Sequence, residues 1–340
     1  MFKRTALKAL TVGALALGLS AMFAANAQAE DEKIVLKIAT VAPNQTPWTE
    51  LLKRYRKAVK KASNGKVKVK IYAGGVKGDE QSIVRQTFKG KLQGAAVSTG
   101  AMATIVKELE LLELPFLFEN NKEVDSILHG PALPIVQEIL EAKGFKLLIL
   151  SENGFRSWGA KGTFIKSPAD LKARKMRSQE SAVHLNMYRA LGASPVAIAV
   201  SEVQSSLKTG VVDGFDNTLL FTQAVGWQQS VDHWTESRHI YQPAVVAINK
   251  EWLEAQPADV QEAILAPGMK MGKKSMKAIR ALGPALLKNM EAQGIKTYTL
   301  TEAERGAFKK LTRPTWDKAR NTASELGKKL LDTIIKAKGG

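Results

Sequence analysis

The sequence predicts an α/β fold made of two lobes. Between residues 34 and 98, segments with strand-like alternation and segments with helical periodicity follow one another in the order β-α-β-α-β. This order indicates a mainly parallel sheet covered by helices. About 310 residues follow an N-terminal leader, which suffices for two lobes at the usual ~150 residues per domain.

The leader has the order of a secretory signal peptide. Lys3, Arg4 and Lys8 give it a positive start, residues 9–23 are apolar, and Ala27-Gln28-Ala29 supplies small residues at the spacing of a cleavage site. A membrane-spanning or amphipathic helix is the alternative, but the apolar run is shorter than the ~18 residues needed to cross a bilayer. We therefore expect cleavage after residue 29 and a freely diffusing periplasmic protein.

The first third follows from local patterns. Leu36 and Ile38 alternate with polar neighbours, Pro43 and Pro47 bracket a polar loop, and residues 66–72 alternate lysine with valine and isoleucine. The expected elements are strand 34–39, helix 49–62, strand 66–72, helix 79–89 and strand 95–98.

The remainder continues with short strands and then becomes mostly helical. Ser167, Pro168 and Asp170 form a helix start, and Pro267-Gly268 is expected to break or kink a helix. No loose linker separates two halves, so we expect strands to cross between the lobes and form a hinge beside a closable cleft. The expected elements are a β-rich stretch 145–160, strand 175–178, helices 181–191 and 201–209, strands 211–217 and 244–249, helix 258–293, strand 295–300 and helix from 301 onward.

Composition narrows the function. The chain has no cysteine, which excludes disulfides and a lipid-anchored cysteine after the leader. The net charge of +18 includes three positive residues of the leader, so +15 remains on the mature chain. The basic residues are spread through helices without interleaved aromatic residues. We interpret them as a solvated surface that attracts anionic solutes, and we expect no nucleic-acid partner.

Motifs of catalysis are missing from the sequence. It contains no G-x-S-x-G elbow, no phosphate-binding glycine loop and no H-E-x-x-H. The nearest approach to a metal cluster is Asp232-His233 with Glu236 and His239, which we interpret as a polar turn because the two histidines would not pair on one helix face. We therefore expect no enzymatic activity, no cofactor and no metal.

A candidate anion site lies at Arg177. Residues 175–178 form a short strand that places Lys175 and Arg177 on one face and Met176 on the other. Ligands of open α/β sheets bind beyond the carboxyl ends of the strands, and a guanidinium there matches a carboxylate with two parallel hydrogen bonds. By itself this pattern also fits a solvated surface arginine.

The motifs around this strand resemble a known family. In order, they are Leu-Lys-Ala-Arg-Lys-Met-Arg at 171–177, Leu-Gly-Ala-Ser-Pro at 191–195 and Gly-Val-Val-Asp-Gly at 210–214, ending in Asp216-Asn217. Gly78-Asp79-Glu80 and Leu114-Pro115-Phe116 occur in the family's order. The sequence is similar, over essentially the whole mature chain, to the DctP-type solute-binding proteins of tripartite ATP-independent periplasmic (TRAP) transporters.

The resemblance implies a flytrap of two α/β lobes joined by hinge strands and a long C-terminal helix that spans both lobes. We expect lobe I to comprise residues 30–154 and about 243–282, and lobe II residues 155–242 and about 283–340. The implied function is capture of a small carboxylate and its delivery to the small and large membrane subunits of a TRAP transporter. A binding protein for an ATP-driven importer is the alternative.

The resemblance also implies the site residues. The arginine at the Arg177 position pairs with the ligand carboxylate, Asn217 lies beside it, and Arg156 assists. Ser98 stands in a segment where sialic-acid-binding members carry charged groups, so a sialic acid is not expected. Phe215 replaces the usual glutamine and makes the neighbourhood more apolar. The full set of expected ligand-binding residues is Arg177, Arg156, Asn217, Trp48, Phe215, Trp158, Glu80 and Ser98, with Phe221 as a further candidate.

Overall fold

A computed structural model describes residues 33–339 of the chain. The predicted signal peptide, residues 1–29, lies outside the described residues. Within residues 33–339, no helix is both long enough and apolar enough to cross a membrane.

Nine strands form one continuous sheet in the described part of the chain. They are β1 (Ile34–Ala39), β2 (Val67–Tyr72), β3 (Gly94–Ser98), β4 (Phe145–Ala160), β5 (Lys175–Ser178), β6 (Ser194–Ala197), β7 (Gly214–Thr218), β8 (His233–Asn249) and β9 (Lys296–Thr299).

The sheet order divides the molecule into two lobes. The order is β2-β1-β3-β8-β4-β7-β5-β6, with β9 paired to β8. Lobe I is built around the parallel strands β2, β1 and β3, and lobe II around the parallel strands β7, β5 and β6. The two long strands β4 and β8 pair antiparallel along their length and belong to both halves. This arrangement confirms the two-lobed α/β fold with strands that cross between the lobes.

The pairing of β4 with β8 is irregular in the middle. The register shifts between Glu152 and Gly154, where the two strands leave lobe I, and again between Arg156 and Trp158. Such bulges bend a strand and increase its local twist. The expected lobe boundaries at 154/155 and 242/243 fall at the first of these shifts and stay a prediction.

Fifteen α-helices cover the sheet of residues 33–339. They are α1 (Pro47–Ala62), α2 (Glu80–Phe88), α3 (Thr99–Met102), α4 (Asn121–Leu128), α5 (Ala132–Ala142), α6 (Ala182–Ala190), α7 (Val203–Lys208), α8 (Leu219–Ala224), α9 (Lys250–Glu254), α10 (Ala258–Met269), α11 (Gly272–Ala281), α12 (Gly283–Ala292), α13 (Glu302–Thr312), α14 (Pro314–Thr322) and α15 (Glu325–Ala337).

The expected long helix is a segment of two helices, α11 and α12. Leu282 alone separates them and keeps right-handed helical dihedral angles (φ −80°, ψ −19°). α11 packs on β4 in lobe I, where a β-carbon on Gly272 would lie 1.9 Å from the Leu150 carbonyl oxygen, so only glycine permits the approach. α12 packs on α8 and β9 in lobe II. The preceding helix α10 continues through Pro267 and ends at Met269.

The C-terminal helix requires a correction to the expected lobes. We expected residues 283–340 in lobe II, but α15 places Leu330, Leu331 and Ile334 in the lobe I core together with Ile139 of α5. Ser324, which caps α15, also donates to Glu108 of lobe I at 2.7 Å. The chain therefore returns to lobe I at its end, because the apolar face of α15 is buried there.

Candidate ligand-binding site

A cavity of ≈ 900 Å³, including its open mouth, lies between the two lobes. Its walls come from the segments that follow the carboxyl ends of β1, β5 and β7 and from the crossing region of β4 and β8. This is the position at which open α/β sheets bind ligands. The residues used below that line it are Thr40, Ala42, Trp48, Asp79, Glu80, Glu152, Arg156, Arg177, Gln179, Glu180, Asn217, Phe221 and Gln242.

Arg177 of β5 lines this cavity while it is only 2% exposed. Its Nε and one terminal nitrogen donate to the Ile198 carbonyl oxygen at 3.0 and 2.8 Å, and its guanidinium lies over the Trp227 ring at 5.2 Å. Among the described residues, no carboxylate forms an ion pair with it. Burial and the nearby charge of Arg156 lower the pKa of Arg177 to about 10. An anion beside it would relieve both effects.

Arg156 of β4 has its partners inside the protein. Its Nε donates to Asp216 Oδ2 at 2.5 Å, and Nη2 donates to the Asp216 carbonyl oxygen at 2.6 Å. Nη1 donates to Gln242 at 3.0 Å and approaches Asn217 Oδ1 at 3.4 Å. Burial would lower the pKa of Arg156, but the charge of Asp216 raises it overall. Arg156 is therefore a fixed cation whose charge is already matched.

The buried carboxylate of Asp216 holds Arg156 in place. Besides Arg156, its carboxylate accepts a hydrogen bond from Tyr188 at 2.9 Å, and ring nitrogens of His239 and His184 lie 3.5 and 3.9 Å away. Burial by itself would raise the pKa of Asp216, but the charge of Arg156 holds it well below the ordinary value of 3.8. The carboxylate stays ionised in the interior because its charge is paired.

Asn217 presents its amide to the cavity. Its Oδ1 accepts from its neighbour's backbone, Thr218 N, at 2.7 Å, which orients the side chain. In the described structure its Nδ2 makes no hydrogen bond within the protein, so this donor remains for a ligand. Asn217 is on β7, which separates β4 from β5 in the sheet, and therefore lies between Arg156 and Arg177.

Glu80 and Ser98 form the polar part of the lobe I wall. Glu80 lines the cavity and accepts from the Ser98 backbone N and Oγ at 2.8 and 2.9 Å. Burial raises the pKa of Glu80, and the two hydrogen bonds from Ser98 oppose that rise. Ser98 itself holds Glu80 and does not line the cavity. It also accepts from Gln179 Nε2 of lobe II at 3.3 Å, so the two lobes touch at this point.

Aromatic side chains provide part of the apolar surface. Trp48 lines the cavity from α1, where its indole donates to Thr40 at 3.2 Å, and Phe221 lines it from α8. The two therefore face the cavity from different lobes.

Trp158 and Phe215 were expected in the site, and the structure places both in the lobe II core. Trp158 stacks on His239 at 4.2 Å, and Phe215 packs edge-on against Trp227 at 5.3 Å. The physical reason is the same for both. Trp158 is two residues from the cavity residue Arg156, and Phe215 is two residues from the cavity residue Asn217, in each case on the same face of the strand. A two-residue step moves the aromatic side chain roughly 7 Å along the strand, away from the cavity and into the core.

Sequence reasoning missed a buried polar network behind the cavity. Glu113 accepts from Thr99 at 2.6 Å, from His184 at 2.7 Å and from Gln242 at 2.9 Å. Burial would raise the pKa of Glu113, but the hydrogen bonds from His184 and Thr99 leave it lowered. Gln242 joins this network to Arg156 and to Gln179, at 2.8 Å from the latter. No local sequence signal marks these residues, since they come together from distant segments.

Gly100 leads to a first testable prediction. A β-carbon there would lie 2.3 Å from Gln179 Nε2 and 3.0 Å from both Glu113 carboxylate oxygens. Gly100→Ala must displace the side-chain amide of Gln179 of lobe II, which donates to Ser98 at 3.3 Å and accepts from Gln242 at 2.8 Å. We expect loss of these bonds to weaken the contact between the lobes and to lower ligand affinity roughly ten-fold, about 1.4 kcal/mol.

Calorimetric titration with the bound acid measures this effect. Gly306→Ala is the matched control, since a β-carbon at Gly306 meets nothing within 4 Å, and it should leave affinity unchanged. Equal affinities of the two variants would contradict the role given to this contact.

Comparison with known proteins agrees with this geometry. A family model described as "Bacterial extracellular solute-binding protein, family 7" (DctP) matches residues 38–322. A Rhodobacter capsulatus protein named C4-dicarboxylate-binding periplasmic protein DctP is 31% identical over 329 residues, which cover 93% of this chain and 94% of that protein.

Solved structures superpose closely. The sugar-acid-binding protein of Advenella mimigardefordensis, in complex with galactonate, matches with a TM-score of 0.84 and 26% identity over 90% of this chain and 99% of that one. A TRAP periplasmic solute-binding protein of Ralstonia eutropha with bound (S)-2-acetolactate matches with a TM-score of 0.82 and 28% identity over 89% and 99%. The chain belongs to the DctP family of bacterial extracellular solute-binding proteins, the solute-binding components of TRAP transporters.

Proposed function

We propose that this protein captures its organic acid by pairing the acid's carboxylate with Arg177 in the cavity between the lobes. The observation that carries the proposal is a buried guanidinium that lines the cavity and has no carboxylate partner among the described residues. A buried cation without a partner is costly, and a carboxylate ligand removes that cost while forming two parallel hydrogen bonds. Binding of the carboxylate therefore also neutralises the unpaired charge of Arg177.

The neighbouring residues supply orientation. Arg156, held by Asp216, adds positive potential beside Arg177, and Asn217 offers its free Nδ2 to a ligand oxygen. Trp48 and Phe221 cover the body of the ligand from the two lobes. Ligand contacts on both lobes favour the closed arrangement, because a ligand shifts an equilibrium toward the state that it binds more tightly.

Similar proteins support the ligand class. Galactonate and (S)-2-acetolactate, bound to the Advenella and Ralstonia proteins, are both organic acids. By analogy, the closed and loaded protein would deliver its acid in the periplasm to the small and large membrane subunits of a TRAP transporter. The family match favours this partner over an ATP-driven importer, and the proposed role is transport without catalysis.

The proposal predicts that the ligand's negative charge is indispensable. We expect one acid to bind per protein, and the methyl ester of the same acid to bind at least 100-fold more weakly, because the ester leaves Arg177 unpaired in a dry site. Calorimetry on protein stripped of co-purified acid measures both. An ester that binds as tightly as its acid would refute carboxylate recognition.

A further inference from the structure

The side chains that line the cavity include more acidic than basic residues, although the protein as a whole is basic. Among the described residues that line it, the cations are Arg156 and Arg177, and no lysine is present. Four acidic residues line the same cavity: Asp79, Glu80, Glu152 and Glu180. A strongly basic protein therefore has a ligand cavity with more acidic than basic side chains, which limits the negative charge that a ligand can bring.

Protein countercharges match one cation and one carboxylate of this set. Arg156 is paired with Asp216, and Glu152 accepts two hydrogen bonds from Arg280 at 2.9 and 2.7 Å. Among the lining residues described, Arg177 is the one cation whose charge no protein carboxylate matches. The cavity therefore offers one unpaired positive charge to a ligand.

Both cations also lie at one side of the cavity. Arg156 on β4 and Arg177 on β5 flank β7, and Arg156 is near enough to lower the pKa of Arg177. The lobe I wall presents Thr40, Ala42, Trp48 and Glu80, with no cation among its described residues. A ligand carboxylate held at the arginines therefore directs the rest of the molecule toward an apolar and acidic wall.

We propose that the site takes an organic acid with a single carboxylate and an uncharged, partly apolar body, and that it discriminates against C4-dicarboxylates. The inference rests on the proposed function, since it assumes a first carboxylate at Arg177. A second carboxylate would reach the lobe I wall beside Trp48 and Glu80, where it would be buried without a countercharge. The protein would thereby differ from its Rhodobacter capsulatus relative, which is named for C4-dicarboxylate binding.

Pairs of ligands that differ by one charge test this proposal. Succinamate and succinate form one pair, and galactonate and galactarate form another, each with nearly identical shape. Calorimetry on the stripped full chain should show the monocarboxylate binding at least ten-fold more tightly than its diacid in each pair that binds. Succinate or galactarate binding as tightly as its partner would overturn the inference.

Glu80 provides a second readout. Glu80→Gln removes the negative charge of the lobe I wall and should narrow the gap between the two members of a pair several-fold. The ratio of two affinities on one variant cancels any general loss of binding. Glu254→Gln is the control, since Glu254 lies outside the cavity lining and pairs with Lys250 at 3.8 Å, and it should leave the ratio unchanged. An unchanged ratio in Glu80→Gln would count against repulsion by this wall.

Mass spectrometry of the small molecule released from the purified protein separates the two proposals. A released monocarboxylate supports both. A dicarboxylate would overturn the present inference and leave capture at Arg177 standing. A ligand without any carboxylate would overturn the proposed function, and this inference with it.

Discussion

Arg177→Ala is expected to abolish high-affinity binding. The change leaves a ligand carboxylate buried in the cavity without its guanidinium partner, and breaking a buried ion pair in this way costs about 3–5 kcal/mol. The affinity should therefore fall by roughly two to four orders of magnitude. Calorimetric titration of the stripped protein with the bound acid measures this loss.

Two controls isolate the ligand contact. Arg177→Lys keeps a positive charge but loses the planar fork, so it should recover part of the affinity and not all of it. Arg174→Ala removes an arginine from the same segment that bonds to the carbonyl oxygens of Asp170 and Lys161 outside the cavity lining, and it should bind as wild type does. Arg177→Ala binding within a few-fold of wild type would contradict the proposed role.

The melting temperature of the ligand-free variant separates binding from folding. In the ligand-free protein the Arg177 guanidinium is buried without an acidic partner, and burial lowers its pKa to about 10. Removing this charge relieves a desolvation cost, which offsets the packing lost on truncation to alanine. We therefore expect little change in melting temperature, so that loss of binding cannot be attributed to unfolding.

The alternation of apolar and polar residues was sufficient to predict the position of a strand or helix wherever that element has one apolar face. The β-rich stretch expected at residues 145–160 forms one strand, β4, and the strand expected at 34–39 matches β1. The surroundings of β5 were also predictable, since alternation places Met176 in a core and Arg177 on the cavity side. Periodicity works in these segments because burial alone decides the direction of each side chain.

The first half of β8 shows where that reasoning fails. A strand was expected only at 244–249, whereas β8 begins at His233. The missed residues are mostly polar, yet Gln242 is buried because it donates to Glu113 of a distant segment. His239 is buried with a ring nitrogen 3.5 Å from Asp216 of β7. Polar residues that are satisfied by distant partners give no local signal of burial.

The sequence also could not predict the residue on each strand at which the cavity lining stops and the core begins. Trp158 and Phe215 lie on strands β4 and β7 as expected, but the cavity lining on these strands stops at Arg156 and Asn217, two residues away from each aromatic ring. Where the cavity floor lies depends on how α6, α7 and α13 pack beneath the lobe II strands, which a linear pattern does not contain. For the same reason the sequence did not predict that α15 packs on lobe I.

Asp216→Asn is expected to cause the largest loss of stability among single changes near the site. Asp216 is fully buried and balances Arg156, so the amide leaves a buried guanidinium without a countercharge and places an N–H group among donors. The expected loss is about 3–5 kcal/mol of unfolding free energy. Denaturant titration of the ligand-free protein at pH 7 measures it, with Asp332→Asn, which breaks an exposed pair with Arg320, as the near-neutral control.

The pH dependence of that loss identifies the charge as its cause. The pKa of folded Asp216 lies well below its ordinary value of 3.8, mainly because the charge of Arg156 outweighs the opposing effect of burial. A depressed carboxyl pKa adds stability that is complete above about pH 5 and is lost as the pH falls below about 4 toward the folded pKa. The difference between wild type and Asp216→Asn should therefore be constant from pH 8 to pH 5 and shrink below pH 4. If the difference in unfolding free energy between wild type and Asp216→Asn were the same at pH 3 as at pH 7, the shape of the Asp216 side chain, and not its charge, would be the source of its stabilising effect.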